Sequence, residues 1–263
     1  MTAPVALPSQ HFPSEGGGTP LVIAHGLFGQ GRNFASVAKR LSTDRPVQTV
    51  DMRNHGDAPH DPAMTYEAMA ADLAVSIERI GRPAVLLGHS MGGKAAMAMA
   101  LTRPDLLAGL IVADIAPVTY DHQEHGNIIG AMQSLDLSAV ARRSDADRAL
   151  TAAIPDPGVR GFVVQNLTVE GGAARWKPNL AAIADGMLSI LGFPEDLPEP
   201  AFEAPSLFLH GGRSDYVIEA YHPRIRALFP DAEIQAIADA GHWLHAERPD
   251  AFVAAVEGWC ATL

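Results

Sequence analysis

The chain has 263 residues, 48% of them hydrophobic, so it can bury a full core and fits one large α/β domain with room for an insertion. Its net charge of −11 argues against nucleic acid as the main partner, and no apolar stretch is long and unbroken enough to span a bilayer. Cys260 is the only cysteine, which excludes an intrachain disulfide and suits a reducing compartment. The start, Met1 to Val5, lacks the basic region and apolar core of a signal peptide, so a soluble cytoplasmic protein is the expectation.

Strand-like apolar runs alternate with helix-like periodic runs, the pattern of a mainly parallel sheet flanked by helices. Leu21 to Ala24 reads as a strand ending at His25-Gly26, Asn33 to Leu41 as a helix, and Pro46 to Asp51 as a second strand. Tyr66 to Ile80 carries Met69, Leu73, Ile77 and Ile80 at helical spacing, with Gly81 suited to its C-cap. Pro83 to Leu87 is a buried strand, and Lys94 to Leu101 has excellent helix composition. Leu107 to Ala116 is the next strand. The alternation then breaks: Val118 to Pro200 shows helix-like pieces, clearest at Ile128 to Leu137 and Asn179 to Leu191, and no convincing strand. Pro194, Pro198, Pro200 and Pro205 mark the return. Ser206 to His210 and Glu233 to Ile237 resume the strands, and Phe252 to Trp259 closes with a helix. The simplest organisation is a core of residues 1–117 and 201–263 interrupted by a helical cap, 118–200.

Gly88-His89-Ser90-Met91-Gly92 falls on the strand-to-helix junction, the context that turns Gly-x-Ser-x-Gly from a chance match into a nucleophile turn. A serine hydroxyl needs a base, and the base needs an acceptor to fix its tautomer; on this kind of turn the chain order is nucleophile, acid, histidine. Ala240-Gly241-His242-Trp243 follows the last strand, so His242 is the candidate base among eleven histidines, with His245 the readiest confusion. The acid has two candidates. The usual position after His210-Gly211 holds Ser214, with Asp215 one place late, whereas Asp114 emerges at the carboxyl end of the preceding strand and is preferred. The oxyanion donors should be the amide of Met91 and that of Leu27, with Phe28 the alternative. His25 is expected to brace its loop, Arg53 to brace more readily than to bind an anion, His89 to shape the turn, and Lys94 to be a solvated helix residue. Phe28, Trp176 and Trp243 are candidates for pocket lining.

These segments resemble the YbfF-type bacterial esterases of the α/β-hydrolase superfamily: His25-Gly26-Leu27-Phe28-Gly29, Asp51-Met52-Arg53-Asn54-His55-Gly56, Gly88 to Lys94, Asp114-Ile115-Ala116-Pro117 and Gly211 to Val217. The resemblance implies an α/β-hydrolase fold, carboxylester or acyl-CoA thioester hydrolysis without cofactor or metal, and Ser214 as a family feature that supports Asp114. Carbon–carbon bond hydrolysis and cofactor-free haloperoxidation use the same triad and remain rivals, as does a non-catalytic binding module of the same fold. Acyl length, leaving group and oligomeric state are not written in these motifs.

Overall fold

A computed structural model describes residues 3–121, 124–197 and 201–263. The strands are β1 (Ser9–Phe12), β2 (Leu21–Ala24), β3 (Val47–Val50), β4 (Ala84–His89), β5 (Leu107–Ala113), β6 (Leu167–Glu170), β7 (Ala173–Trp176), β8 (Ser206–Gly211) and β9 (Ala232–Ile237). Seven form one sheet in the order β1-β3-β2-β4-β5-β8-β9, parallel except for β1, which runs antiparallel to β3 at the edge. β2, β4 and most of β5 are buried on both faces, which is why their sequences read as continuous apolar runs rather than alternating ones. β1, Ser-Gln-His-Phe, is short, polar and mostly exposed, and so carried no strand signal.

Helices α1 (Ala35–Leu41), α2 (Tyr66–Glu78) and α3 (Met91–Thr102) belong to the first half of the sheet. Between β5 and its neighbour β8 the chain leaves the sheet and forms α4 (Glu124–Ser134), α5 (Arg143–Ala149), α6 (Pro157–Val164), the β6–β7 hairpin, α7 (Leu180–Asp185) and α8 (Met187–Leu191). It returns for α9 (His222–Leu228), α10 (Leu244–Glu247) and α11 (Pro249–Cys260). One face of the sheet packs on α2 and α3 around Leu73, Ile77, Met97 and Phe208, and the other on α1 and α11 around Phe34, Leu41, Phe252 and Trp259. Among the described residues no helix is long and apolar enough to cross a membrane.

Two expectations for the segment between β5 and β8 are corrected. It contains strands: β6 and β7 pair antiparallel across Gly171-Gly172, both at positive φ. A two-residue glycine turn of that kind is the hairpin signal, but the flanking strands are only four residues each. The helix read over Asn179 to Leu191 is two helices broken at Gly186, where a side chain would run into Met64. Pro198 and Pro200, read as marking the return to the sheet, lie outside the described residues.

Candidate active site

Five non-glycine residues among those described have positive φ: Phe28, Asn54, Ser90, Asp114 and Asp239. Each follows the carboxyl end of a parallel strand, respectively β2, β3, β4, β5 and β9. Backbone strain of about 1–3 kcal/mol per residue is thus gathered at the sheet edge where open α/β folds collect their ligands. At the centre, β4 ends on His89, Ser90 takes φ 53° and ψ −120°, and α3 begins at Met91. The turn needs glycine on both sides. A Cβ at Gly88 would strike the backbone carbonyl of Gly92, and one at Gly92 would come within 2.5 Å of the carbonyl oxygens of Ala24 and His25. Ser90 therefore stands at the amino end of α3, beside helix amides that carry positive potential.

Asp114, fully buried, directs its carboxylate at three donors. Oδ1 accepts the Gly211 amide at 2.9 Å; Oδ2 accepts the Ser214 hydroxyl at 2.5 Å and His242 Nδ1 at 2.7 Å. A carboxylate only accepts, so Nδ1 carries the proton and Nε2 is left as the basic nitrogen. Asp215 is exposed. The one-residue offset that divided the two aspartates in sequence is resolved by β5 lying next to β8, which brings Asp114 under the Ser214 turn. Tyr120 ties the two together, its hydroxyl accepting the Ala116 amide at 2.8 Å and donating to the Tyr216 carbonyl at 2.5 Å. The Tyr216 ring stacks on His242 at 4.1 Å, a contact the sequence reading did not single out.

Ser90 and His242 line one cleft. Leu27, Phe28 and Trp243 line it too, with Ile128, Val159, Phe162 and Val163 from the segment between β5 and β8. Ile128 lies on α4, read as a helix from sequence, and the other three on α6, which was not. A second, smaller cavity meets the first at Ser90 and Leu27 and is lined by Met91, Lys94 and Tyr66. Trp176 is corrected: it borders neither cavity, because it ends β7 and its indole N–H is held by the Met132 carbonyl at 2.9 Å. His25 braces its loop as expected, donating Nδ1–H to the Gly26 carbonyl and accepting the Met52 amide at Nε2. Arg53 is fully buried against Asp72, also donating to Asp61 and to the Ala63 and Ala68 carbonyls, so it is a brace and not a free anion site. Burial lowers the pKa of His25 to about 4 and that of His245 to about 3, so both stay neutral at physiological pH.

Lys94 is corrected most. It is buried, not solvated, because α3 is covered by the returning segment. Its Nζ donates to the Leu191 and Gly192 carbonyls at the end of α8 and lies 4.8 Å from the Tyr120 ring centroid. Desolvation pushes its pKa down to about 7. The unfolded chain, with an ordinary lysine, therefore binds more protons between about pH 7 and 10. The cost of burying the ammonium is fully felt below pH 7 and is relieved as pH rises through this window. Relative to Lys94→Met, the wild type should gain about 2 kcal/mol of stability between pH 7 and 9 in urea melts. Parallel pH profiles for the two proteins would refute this. The buried Cys260 thiol, whose pKa burial raises, is common to both and cancels.

A parallel sheet whose central strand delivers a strained serine to a helix amino end, in the same cleft as a carboxylate-held imidazole, is the architecture of an α/β protein with a serine-centred site. The chain belongs to the alpha/beta hydrolase family, whose profile matches residues 21–255. It is 43% identical over 249 residues to the Mus musculus protein named sn-1-specific diacylglycerol lipase ABHD11, covering 92% of this chain and 80% of that one. It is 39% identical over 240 residues to Esterase YbfF of Escherichia coli K12, covering 90% and 91%. A solved structure described as a marine microorganism esterase superposes with a TM-score of 0.93 at 36% identity, covering 97% of this chain and 99% of that one.

Proposed function

We propose that this chain hydrolyses carboxylic esters or acyl thioesters through an acyl-enzyme on Ser90, with His242 as base and Asp114 as its orienting acid. That it is a serine ester hydrolase accords with its family and with relatives named as esterases and lipases. The observation that carries the residue assignment is the 2.7 Å bond from His242 to a buried Asp114, in the cleft that Ser90 borders. Ser90 Oγ attacks the acyl carbon while His242 Nε2 takes its proton, and Asp114 stabilises the imidazolium. The oxygen of the tetrahedral intermediate is received by the amides of Met91 and Leu27, Phe28 being the alternative donor. His242 then returns the proton to the leaving oxygen or sulfur, and water deprotonated by the same imidazole frees the acid. The segment 118–200 serves as a cap whose apolar residues, with Phe28 and Trp243, hold the substrate. The partner is a small acyl ester or thioester, and the single buried thiol of Cys260 suits a cytoplasmic setting.

A fluorophosphonate probe should label Ser90 alone, and turnover of a p-nitrophenyl ester should fall in proportion to labelling. An acyl-CoA panel run beside it reads out thioester use. Full turnover in fully labelled protein would reject the reading.

A further inference from the structure

His89, the last residue of β4, is buried, and its Nε2 lies 2.8 Å from the main-chain oxygen of His242. A carbonyl only accepts, so the proton sits on Nε2 and the ring is a donor there. The other side of the ring faces the loop after β2: a Cβ at Gly26 would come to 3.1 Å of His89 Nδ1 and 3.0 Å of Ser90 Cβ. One imidazole thus touches the three loops that must stay in register, those carrying Ser90, Leu27 and His242. Its ring centroid is 4.8 Å from that of His242 and 4.8 Å from that of His245, which in turn stacks on Phe34 at 4.1 Å. The loop of His242 is also held by Glu247, which accepts the amides of Gly241 and Trp243, while Asp114 and Tyr216 hold the imidazole itself.

We propose that His89 is a positioning residue, whose Nε2–H···O bond to the His242 main chain fixes the base against the nucleophile turn. The proposal rests on the assignment of Ser90 and His242 given above. Burial, and then the neighbouring charge of His242, holds the pKa of His89 well below the ordinary histidine value. The ring therefore remains a neutral donor with one fixed tautomer while His242 gains and loses its proton. Displacing a reacting group by about 1 Å costs on the order of 10²-fold in rate, which sets the scale of the effect.

The test compares His89→Leu, which fills the space without a donor, with His89→Gln, which keeps an amide N–H of similar reach. kcat and KM for a p-nitrophenyl ester are measured per active site, counted by end-point fluorophosphonate titration. Leu should lower kcat per titrated site by about 10–100-fold with KM within about threefold, and Gln should recover most of that loss. A residue that only supports the fold would reduce the titratable fraction and leave kcat per titrated site alone. Leu within twofold of wild type per site, or Gln no better than Leu, overturns the proposal. If Leu does not fold, Gln is compared with His89→Met, of similar length with no donor; equal kcat for these two also overturns it. Failure of the underlying reading looks different: the probe then labels a residue other than Ser90, or Ser90→Ala still turns over ester.

Discussion

Ser90→Ala should lower kcat for an aryl ester by about 10⁴–10⁶-fold and leave the protein folded. The substitution removes one oxygen from a side chain at the edge of the cleft and nothing from the core, so near- and far-UV circular dichroism should be unchanged. His242→Ala should cost a similar factor, since a serine without its base is a poor nucleophile at neutral pH. The two losses should not add in a double variant, because nucleophile and base act as one unit. Ester turnover by Ser90→Ala close to wild type would remove the acyl-enzyme mechanism altogether. The residual rate is itself informative, since the amides of Met91 and Leu27 would still polarise a bound carbonyl.

The candidate site was legible where local pattern and chemistry coincide. β2, β4, β5 and β8 show as apolar runs because the sheet buries them, and Ser90 shows because glycines must flank its turn. His242 follows from order along the chain. What stayed hidden depends on contacts distant in sequence. Lys94 reads as a surface helix residue until the carbonyls of Leu191 and Gly192 return to cover it. Trp176 reads as a pocket aromatic until Met132 takes its indole N–H. Phe162 and Val159 were invisible because an apolar residue on a short helix looks the same facing a core or a cleft. The β6–β7 hairpin is a different failure: its Gly171-Gly172 turn was in plain view, and the four-residue strands beside it were too short to register.

Asp114→Asn should lower kcat by about 10²–10⁴-fold, and Asp215→Asn should cost far less. Asn is nearly isosteric with Asp, and its oxygen can still accept the Gly211 amide or the Ser214 hydroxyl that Asp114 now holds. What it loses is the charge facing His242 Nδ1, and with an amide NH₂ turned that way it favours the tautomer with the proton on Nε2. That tautomer cannot accept the Ser90 proton, so the loss falls on kcat rather than on substrate binding. The fold should survive, because the carboxylate is not the only tie between these strands: β5 and β8 remain paired through Leu110 to Ala113, and Tyr120 bridges to Tyr216. Asp215 has an exposed side chain, so its amide variant should change kcat by less than about threefold. Both variants are compared per active site titrated, at one pH. A larger loss from Asp215→Asn than from Asp114→Asn would mean that the bond seen at 2.7 Å is not the one that supports catalysis. The acid would then have to reach His242 by a rearrangement of the Ser214 turn, breaking the Ser214–Asp114 contact that now holds that turn closed.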